Sequence, residues 1–346
     1  MIRRFEEKEP ILEYVTTSAP LRVSFVGGGT DLPAFYSKDR GAVLSTAINK
    51  HIYVTVKRMG DLYDTKYRLN YSITENVNSI DSIENAIARE CLRLVPVAPP
   101  LYIGTVADLP ASSGLGSSSC FAVALLKALH LMRGERVSDI QLAEEACYIE
   151  ISVLGRPVGK QDHYASTFGG LNVFQFWASG RVTHDPLMLN LHQITKLFSH
   201  FLLFWTDIKR DAATVLTEQN EKTDDNDSAL IAMRDQVEIM QKLLNSNYST
   251  REFGSMLHQG WLKKRSLATT ISNPQIDTWY QNALDAGAYG GKLCGAGGGG
   301  FLLFIAPPEV HDEIRKHLYD LKEERICFEP HGVRTIVQVN RNAFQK

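Results

Sequence analysis

Cysteine is sparse: the 346 residues hold five, Cys91, Cys120, Cys147, Cys294 and Cys327, with no Cys-x-x-Cys pair among them. That spacing excludes a disulfide framework and a zinc site, and makes the reducing cytoplasm the expected compartment. An excess of one charge is also missing. Lys and Arg number 37 against 39 Asp and Glu, mixed along the chain, for a net charge of −2. Nucleic acid would find no electrostatic footprint here, so a small-molecule partner is expected. No apolar run approaches the ~20 residues of a membrane span. Residues 1–10 are charged and lack the apolar core of a signal peptide. Neither membrane insertion nor secretion is expected. No fixed-period repeat occurs, which excludes solenoids and propellers. At 44% hydrophobic and 22% charged, the chain is long and apolar enough for two cores.

Glycine, by contrast, is concentrated. In residues 109–119, Gly114 and Gly116 flank Leu115, and Ser117, Ser118 and Ser119 follow where an apolar run over 120–132 begins a helix. Two glycines free the backbone to turn tightly and expose amides, and the helix N-terminus adds unsatisfied N–H groups and a positive dipole end. Such a turn suits a phosphate. It lacks the lysine of a Walker A loop, and Ser119 stands where a dinucleotide fingerprint has its third glycine. The alternative is a Gly-Ser turn that only caps a buried helix.

In chain order, Leu21, Val23 and Phe25 alternate with Arg22 and Ser24, predicting a strand over 21–26 that carries an arginine on its polar face. It runs into Gly27, Gly28, Gly29, Thr30 and Asp31. Asp31 is placed to accept hydrogen bonds from hydroxyls, or else caps the next helix. Strands are predicted over 48–57, 101–106 and 171–176, and helices over 81–95 and 138–154, the latter with Ser138 as N-cap. The row Ala143, Cys147, Glu150, Leu154 is apolar except for Glu150, which needs a metal or a neighbouring cation as partner. Gly155, Pro157 and Gly159 break the helix, so Asp162 is presented from a loop or the first turn of the next element, as a functional acid or as a cap. The chain turns mainly helical from about Asp211, and the acidic residues Asp224, Asp225 and Asp227 mark an exposed break over 221–228. Asn273 and Pro274 open a helix that Gly287 closes. Seven glycines then fall within residues 290–300, before an apolar strand over 301–305. That many require close backbone approach to something.

Three of these stretches resemble, in order, the signature motifs of the GHMP small-molecule kinases, the family of galactokinase, homoserine kinase, mevalonate kinase and phosphomevalonate kinase. They are residues 20–31, the Gly-Leu-Gly-Ser-Ser-Ser loop and the late Gly-Ala-Gly-Gly-Gly-Gly run, a match spanning residues 18–305. Within the family, residues 27–33 and 159–162 look most like bacterial D-glycero-D-manno-heptose 7-phosphate kinases. The resemblance implies an α+β fold of two domains, residues 1–190 of ribosomal protein S5 domain 2 type and residues 191–346 ferredoxin-like, with ATP and substrate between them. It implies that Gly114, Leu115, Gly116, Ser117, Ser118 and Ser119, with Gly295, Gly297 and Gly298, hold ATP. Ser118, or its neighbour Ser117, and Glu150 match the ligands of Mg2+. Asp162 matches the catalytic aspartate and Arg22 the basic residue beside it. Gly28, Gly29, Thr30 and Asp31 match the sugar pocket, where galactokinases carry a Glu-His pair in place of the two glycines. Asp162 stands one residue further from Gly159 than in mevalonate kinase.

The expected function is ATP-dependent phosphorylation of the anomeric hydroxyl of a sugar, D-glycero-D-manno-heptose 7-phosphate first among them. A fucokinase or galactokinase type is the alternative within the class. A catalytically silent ligand sensor of the same fold, or a nicotinamide-dependent oxidoreductase, are alternatives outside it.

Overall fold

The structure, a computed structural model, describes residues 5–340 except 61, 210, 211, 224 and 247. The expected helical start at Asp211 and the acidic Asp224 lie outside the described residues.

Two long antiparallel strands form the spine. Strand β1 (Leu12–Val26) pairs with β2 (Gly41–Arg58) from Tyr14 opposite Lys57 to Val26 opposite Leu44. Both run well past the alternating stretches, because Ser18, Ala19, Ala42, Val43 and Leu44 are buried whichever face they take. A strand covered on both faces loses its period-two pattern. Between the two strands lies the one-turn helix α1 (Pro33–Tyr36).

Around this pair, β3 (Tyr67–Asn70), β4 (Thr74–Val77), β5 (Leu101–Ala107) and the late strand β12 (Arg334–Asn340) complete the order β12-β1-β2-β5-β3-β4. Strand β6 (Leu171–Phe176) pairs with β2 and with β7 (Val182–Pro186). Helix α2 (Ala86–Leu94) is shorter than predicted. Asn85 accepts from Ala88 N at 3.0 Å and starts it, while Ile83 is buried in extended backbone before the cap. Helix α3 (Ser117–Met132) packs on β1 and β2, and its buried apolar residues surround it on nearly every side. Ser138 caps α4 (Asp139–Cys147) as predicted, accepting from Gln141 N at 3.2 Å. The helix then widens into a π turn over Tyr148–Val153, where Leu154 N donates to Ile149 O. Helix α5 (Gln161–Phe168) follows.

After α6 (Leu191–Ser199), a second sheet is built from β8 (Phe201–Trp205), β9 (Gly290–Leu293), β10 (Phe301–Ile305) and β11 (Lys322–Glu324). Its order, β11-β8-β10-β9, is antiparallel throughout. Numbered along the chain this is 4-1-3-2, the ferredoxin-like order. Helices α7 (Ala212–Glu221), α8 (Asp227–Leu244), α9 (Thr250–Ser266) and α10 (Pro274–Asp285) connect β8 to β9, and α11 (His311–His317) connects β10 to β11. Asn273 caps α10 as its sequence predicts. The break between α7 and α8 falls within the expected 221–228.

The division near residue 190 does not hold at the chain end. Strand β12 (Arg334–Asn340) leaves the second sheet and pairs with β1, from Ser18 opposite Arg334 to Leu12 opposite Asn340. Phe25, near the end of β1, stacks edge-on against Phe253 of α9 at 5.1 Å and tilts against Phe201 of β8 at 5.7 Å. The two sheets thus share one apolar seam beside the glycine turns.

Candidate active site

The two glycine-rich loops touch. Gly114 and Gly116 have φ of 79° and 83°, in the left-handed region that favours glycine. A side chain on Gly114 would lie 2.6 Å from the Cys294 carbonyl oxygen, and one on Gly300 2.5 Å from that of Ser113. Gly298 N donates to Ile271 O at 2.8 Å. The close approach required of residues 290–300 is therefore partly to the earlier loop, which lies far back in the sequence and whose own Gly116 forms the N-cap of α3.

Asp162 lies against that cap. A Cβ on Gly116 would stand 3.2 Å from Asp162 Oδ2. Because Lys160 ends the preceding loop, Asp162 falls in the first turn of α5. Arg22 of β1 grips it with a fork: Nε donates to Oδ1 at 2.6 Å and Nη2 to Oδ2 at 2.7 Å, while Nη1 donates to the Gly114 carbonyl at 2.8 Å. The predicted polar face of β1 is thus the wall of a site. Burial works against the Arg22 charge, but the carboxylate and hydrogen bonds of Asp162 raise its pKa above the ordinary value.

Asp31 is buried and accepts from Gly29 N at 3.0 Å, Gln161 N at 3.2 Å and Gln161 Nε2 at 3.0 Å. Burial, then the charge of Asp162, pushes its pKa up against the pull of those backbone amides. A side chain at Gly159 would collide with Asp31 Oδ2 at 1.9 Å, so the Gly159 turn is shaped around this carboxylate. Asp31 fixes the start of α5, and through it Asp162.

Glu150 sits in the π turn with no exposed side-chain surface. Its Oε2 accepts from Ser119 Oγ at 2.9 Å and pairs with His163 Nε2 at 2.8 Å; Oε1 accepts from Arg156 Nη1 at 2.9 Å. Burial alone would raise its pKa, yet the hydrogen bond and charge of His163, with Arg156, hold it at about 2. Both partners that the sequence left open, metal or cation, must reckon with the two cations already present. The hydroxyl bonded to Glu150 is that of Ser119, whereas Ser118 lines the open cleft. Among the described residues no group of three or more His, Cys, Asp or Glu side chains is arranged to hold a metal by itself.

These elements enclose a cleft of about 420 Å³. Arg22, Asp31, Gly114, Gly116, Ser117, Ser118, Ser119, Asp162 and Gly295 line it, as does Gly29. Gly28 instead borders a small cavity behind the cleft. Thr30 is turned inward, its hydroxyl donating to Gly27 O at 2.8 Å and accepting from Ala42 N at 3.0 Å. Leu115 is buried, Arg22 N donating to its carbonyl at 3.2 Å. Gly297 packs on Ile271, away from the cleft.

Sequence reasoning missed Arg156, Gln161, Gln219 and Lys264, all of which line the cleft. Gln161 and Arg156 stood in a segment already singled out for Asp162. Nothing local marks Gln219 on α7 or Lys264 on α9, since a lysine in the last turn of a helix is ordinary. Lys264 donates to the Gly295 carbonyl, and Lys292, within the glycine run but given no role, donates to Ser24 O at 2.7 Å.

The chain is similar to known proteins over most of its length. The family model for the GHMP kinases N terminal domain matches residues 80–170 and that for the GHMP kinases C terminal region matches residues 240–320. A D-glycero-alpha-D-manno-heptose 7-phosphate kinase of Campylobacter jejuni is 31% identical over 322 residues, covering 89% of this chain and 94% of that one. The galactokinase of Pyrococcus furiosus is 22% identical, covering 83% and 87%. The crystal structure of a D-glycero-D-manno-heptose 1-phosphate kinase from Bacteroides thetaiotaomicron is 25% identical, with a TM-score of 0.70 over 93% of this chain and 99% of that one. Its glycine loops, its forked Arg-Asp pair and this similarity over nearly its whole length make the chain a member of the GHMP kinases, an ATP-dependent kinase of sugars or sugar phosphates.

Proposed function

We propose that this kinase transfers the γ-phosphoryl group of ATP to O1 of D-glycero-D-manno-heptose 7-phosphate, giving the 1,7-bisphosphate. The substrate rests on one observation: the relative named for heptose 7-phosphate is matched over 94% of its length at 31% identity. The domain assignment is residues 1–190 for nucleotide and 191–346 for the second half of the cleft, with β12 returning to the first sheet.

In this reading the amides of residues 114–119, at the N-terminus of α3, hold the ATP phosphates, and the loop at Gly295 and Gly298 closes over them. Asp162 is partly exposed beside Gly116. It accepts a hydrogen bond from the sugar hydroxyl and takes its proton as the new P–O bond forms. Arg22 balances the aspartate and supplies positive charge where the phosphoryl group passes. Asp31 positions the Asp162 turn and, with Gln161, faces the sugar.

The donor set fits Mg2+. The cation takes hard oxygen ligands and keeps several positions for water and phosphate. Here an ionised carboxylate adjoins a run of serine hydroxyls on the cleft wall. Glu150, buried behind Ser119 and reached only if Arg156 releases its Oε1, and Ser118 would hold it. Bound there, the ion would neutralise charge on the ATP phosphates.

The test is ATP-dependent turnover of a panel of sugars and sugar phosphates, with the product examined by phosphorus NMR. A 1,7-bisphosphate from heptose 7-phosphate is expected. Equal or better use of galactose or fucose would overturn the heptose reading and favour a fucokinase or galactokinase type. No sugar-dependent ATP consumption would point to a silent sensor.

A further inference from the structure

Three cations line the cleft: Arg22, Arg156 and Lys264. Arg22 is paired with Asp162, and Arg156 with Glu150. Lys264 differs. It is 7% exposed, its ammonium donates to the Gly295 carbonyl, and among the described residues no carboxylate lies within ion-pair distance of it. An ammonium carries three N–H donors, so a buried one bonded to a single carbonyl is poorly compensated.

Its surroundings add to this. Lys264 also borders the small cavity behind the cleft, together with Gly28 and a second buried lysine, Lys292, whose partners are the carbonyls of Ser24 and Phe25. Beside Gly28 the space is open: a Cβ there would find its nearest neighbours, Gln161 Nε2 and Ser24 Oγ, at 3.8 and 3.9 Å. Over Gly29 sits the amide of Gln219, only 2% exposed, its Nε2 with no acceptor. On the α7 and α9 side of the cleft, the Gln219 amide thus has no acceptor and the Lys264 ammonium has one for three N–H groups. Burial and the nearby charge of Arg22 lower the Lys264 pKa to about 8 against the opposing charges of Asp31 and Asp162, neither of which pairs with it directly, and burial and Lys264 lower that of Lys292 to about 7. Such shifts are expected of cations that lack a counter-ion.

We infer that Lys264, with Gln219 of the same cleft, binds the phosphate that the sugar substrate already carries, and so sets the preference for a phosphorylated over a neutral acceptor. This rests on the sugar-phosphate reading given above. A phosphate supplies several acceptor oxygens and negative charge, which a neutral hydroxymethyl group does not.

The experiment measures kcat/KM for D-glycero-D-manno-heptose 7-phosphate and for the unphosphorylated heptose, with ATP and Mg2+, in the parent enzyme and in Lys264→Met, Lys264→Gln and Lys264→Arg. The quantity read is the ratio of the two kcat/KM values. In Lys264→Met it should fall by about 30-fold or more, the size expected for removing one partner of a buried charge pair, with most of the change in KM for the sugar phosphate. Lys264→Gln serves as the second neutral variant where the methionine does not fold, and Lys264→Arg should keep most of the ratio. A ratio unchanged in the neutral variants, with both substrates slowed alike, would mean that Lys264 serves the nucleotide or the fold, and would overturn the inference. A parent ratio near one is a different failure, that of the sugar-phosphate reading, and the role of Lys264 falls with it.

Discussion

Glu150 and His163 are joined at 2.8 Å, Oε2 to Nε2, with neither side chain reached by solvent. The pairing favours the ionised form of both. Glu150 is held at about 2; burial works against the His163 charge, yet the Cys147 sulfur and the Glu150 carboxylate raise its pKa well above the usual value. Glu150→Gln removes the charge that His163 and Arg156 face. It should destabilise the nucleotide-free enzyme by about 3 kcal/mol, the lower range for breaking a buried pair. The sign of the pH dependence follows. A carboxylate whose pKa is depressed on folding contributes fully above its unfolded value and loses that contribution as pH falls toward the folded one. The raised pKa of His163 acts in the opposite sense, contributing fully below the unfolded histidine value and declining as pH rises through the folded one. The Tm gap between parent and variant should therefore be largest between about pH 5 and 6, narrow below about pH 4 and shrink as pH rises past neutrality. A gap that widens below about pH 4 would contradict the pairing.

The same variant separates metal from ion pair. Magnesium titration of turnover in Glu150→Gln should show a sharply raised requirement if the carboxylate binds the ion. An unchanged requirement together with a lowered Tm would leave Glu150 as the partner of His163 and Arg156 alone.

Asp162→Asn should lower kcat by about three orders of magnitude or more, since a general base alone contributes up to about 10⁴. ATP affinity, measured by nucleotide titration, should change only a few-fold, because the group acts on the acceptor. Near-normal turnover would end the assignment of Asp162.

Arg22→Lys should keep more activity than Arg22→Ala. The lysine retains charge near the phosphoryl path but cannot reproduce the two-point grip on Asp162 or the bond to Gly114. Both variants should melt lower than the parent. If both also match it in kcat, Arg22 is structural.

Gly28 and Gly29 should respond in opposite ways. Gly29 has φ of 102° and a side chain there would strike Gln219 Nε2 at 2.3 Å. Gly29→Ala should therefore cost about 1–3 kcal/mol in thermal or urea unfolding. Gly28→Ala should be nearly neutral. Gly28→Glu should selectively lower kcat/KM for a phosphorylated sugar, by repulsion and by competing for Lys264; equal losses on neutral and phosphorylated sugars would contradict this.

The glycine turns, the strand at Arg22, the first-turn position of Asp162 and the caps Ser138 and Asn273 were legible because each depends on local chemistry that a few residues set. Most of what was misjudged is tertiary. Burial on both faces lengthened β1 and β2, and the widened turn at Glu150 has no local signature. The two glycines before Thr30 match a sugar pocket by resemblance, yet the space at Gly29 is filled by Gln219 from α7, an element of the other half of the chain. Lys264 looks ordinary in sequence, because the lack of a carboxylate partner around it is a property of the tertiary fold.

Strand β12 covers the outer edge of β1 along Leu12–Ser18, and it begins at Arg334. On the ribosome the first sheet is therefore drafted early but sealed late. Until the stretch from Arg334 to Asn340 emerges, one border of its longest hairpin offers unpaired N–H and C=O groups to any other chain. The nascent protein has most reason to attract chaperones during that interval, and a nick or a deletion ahead of Arg334 recreates it in the finished molecule.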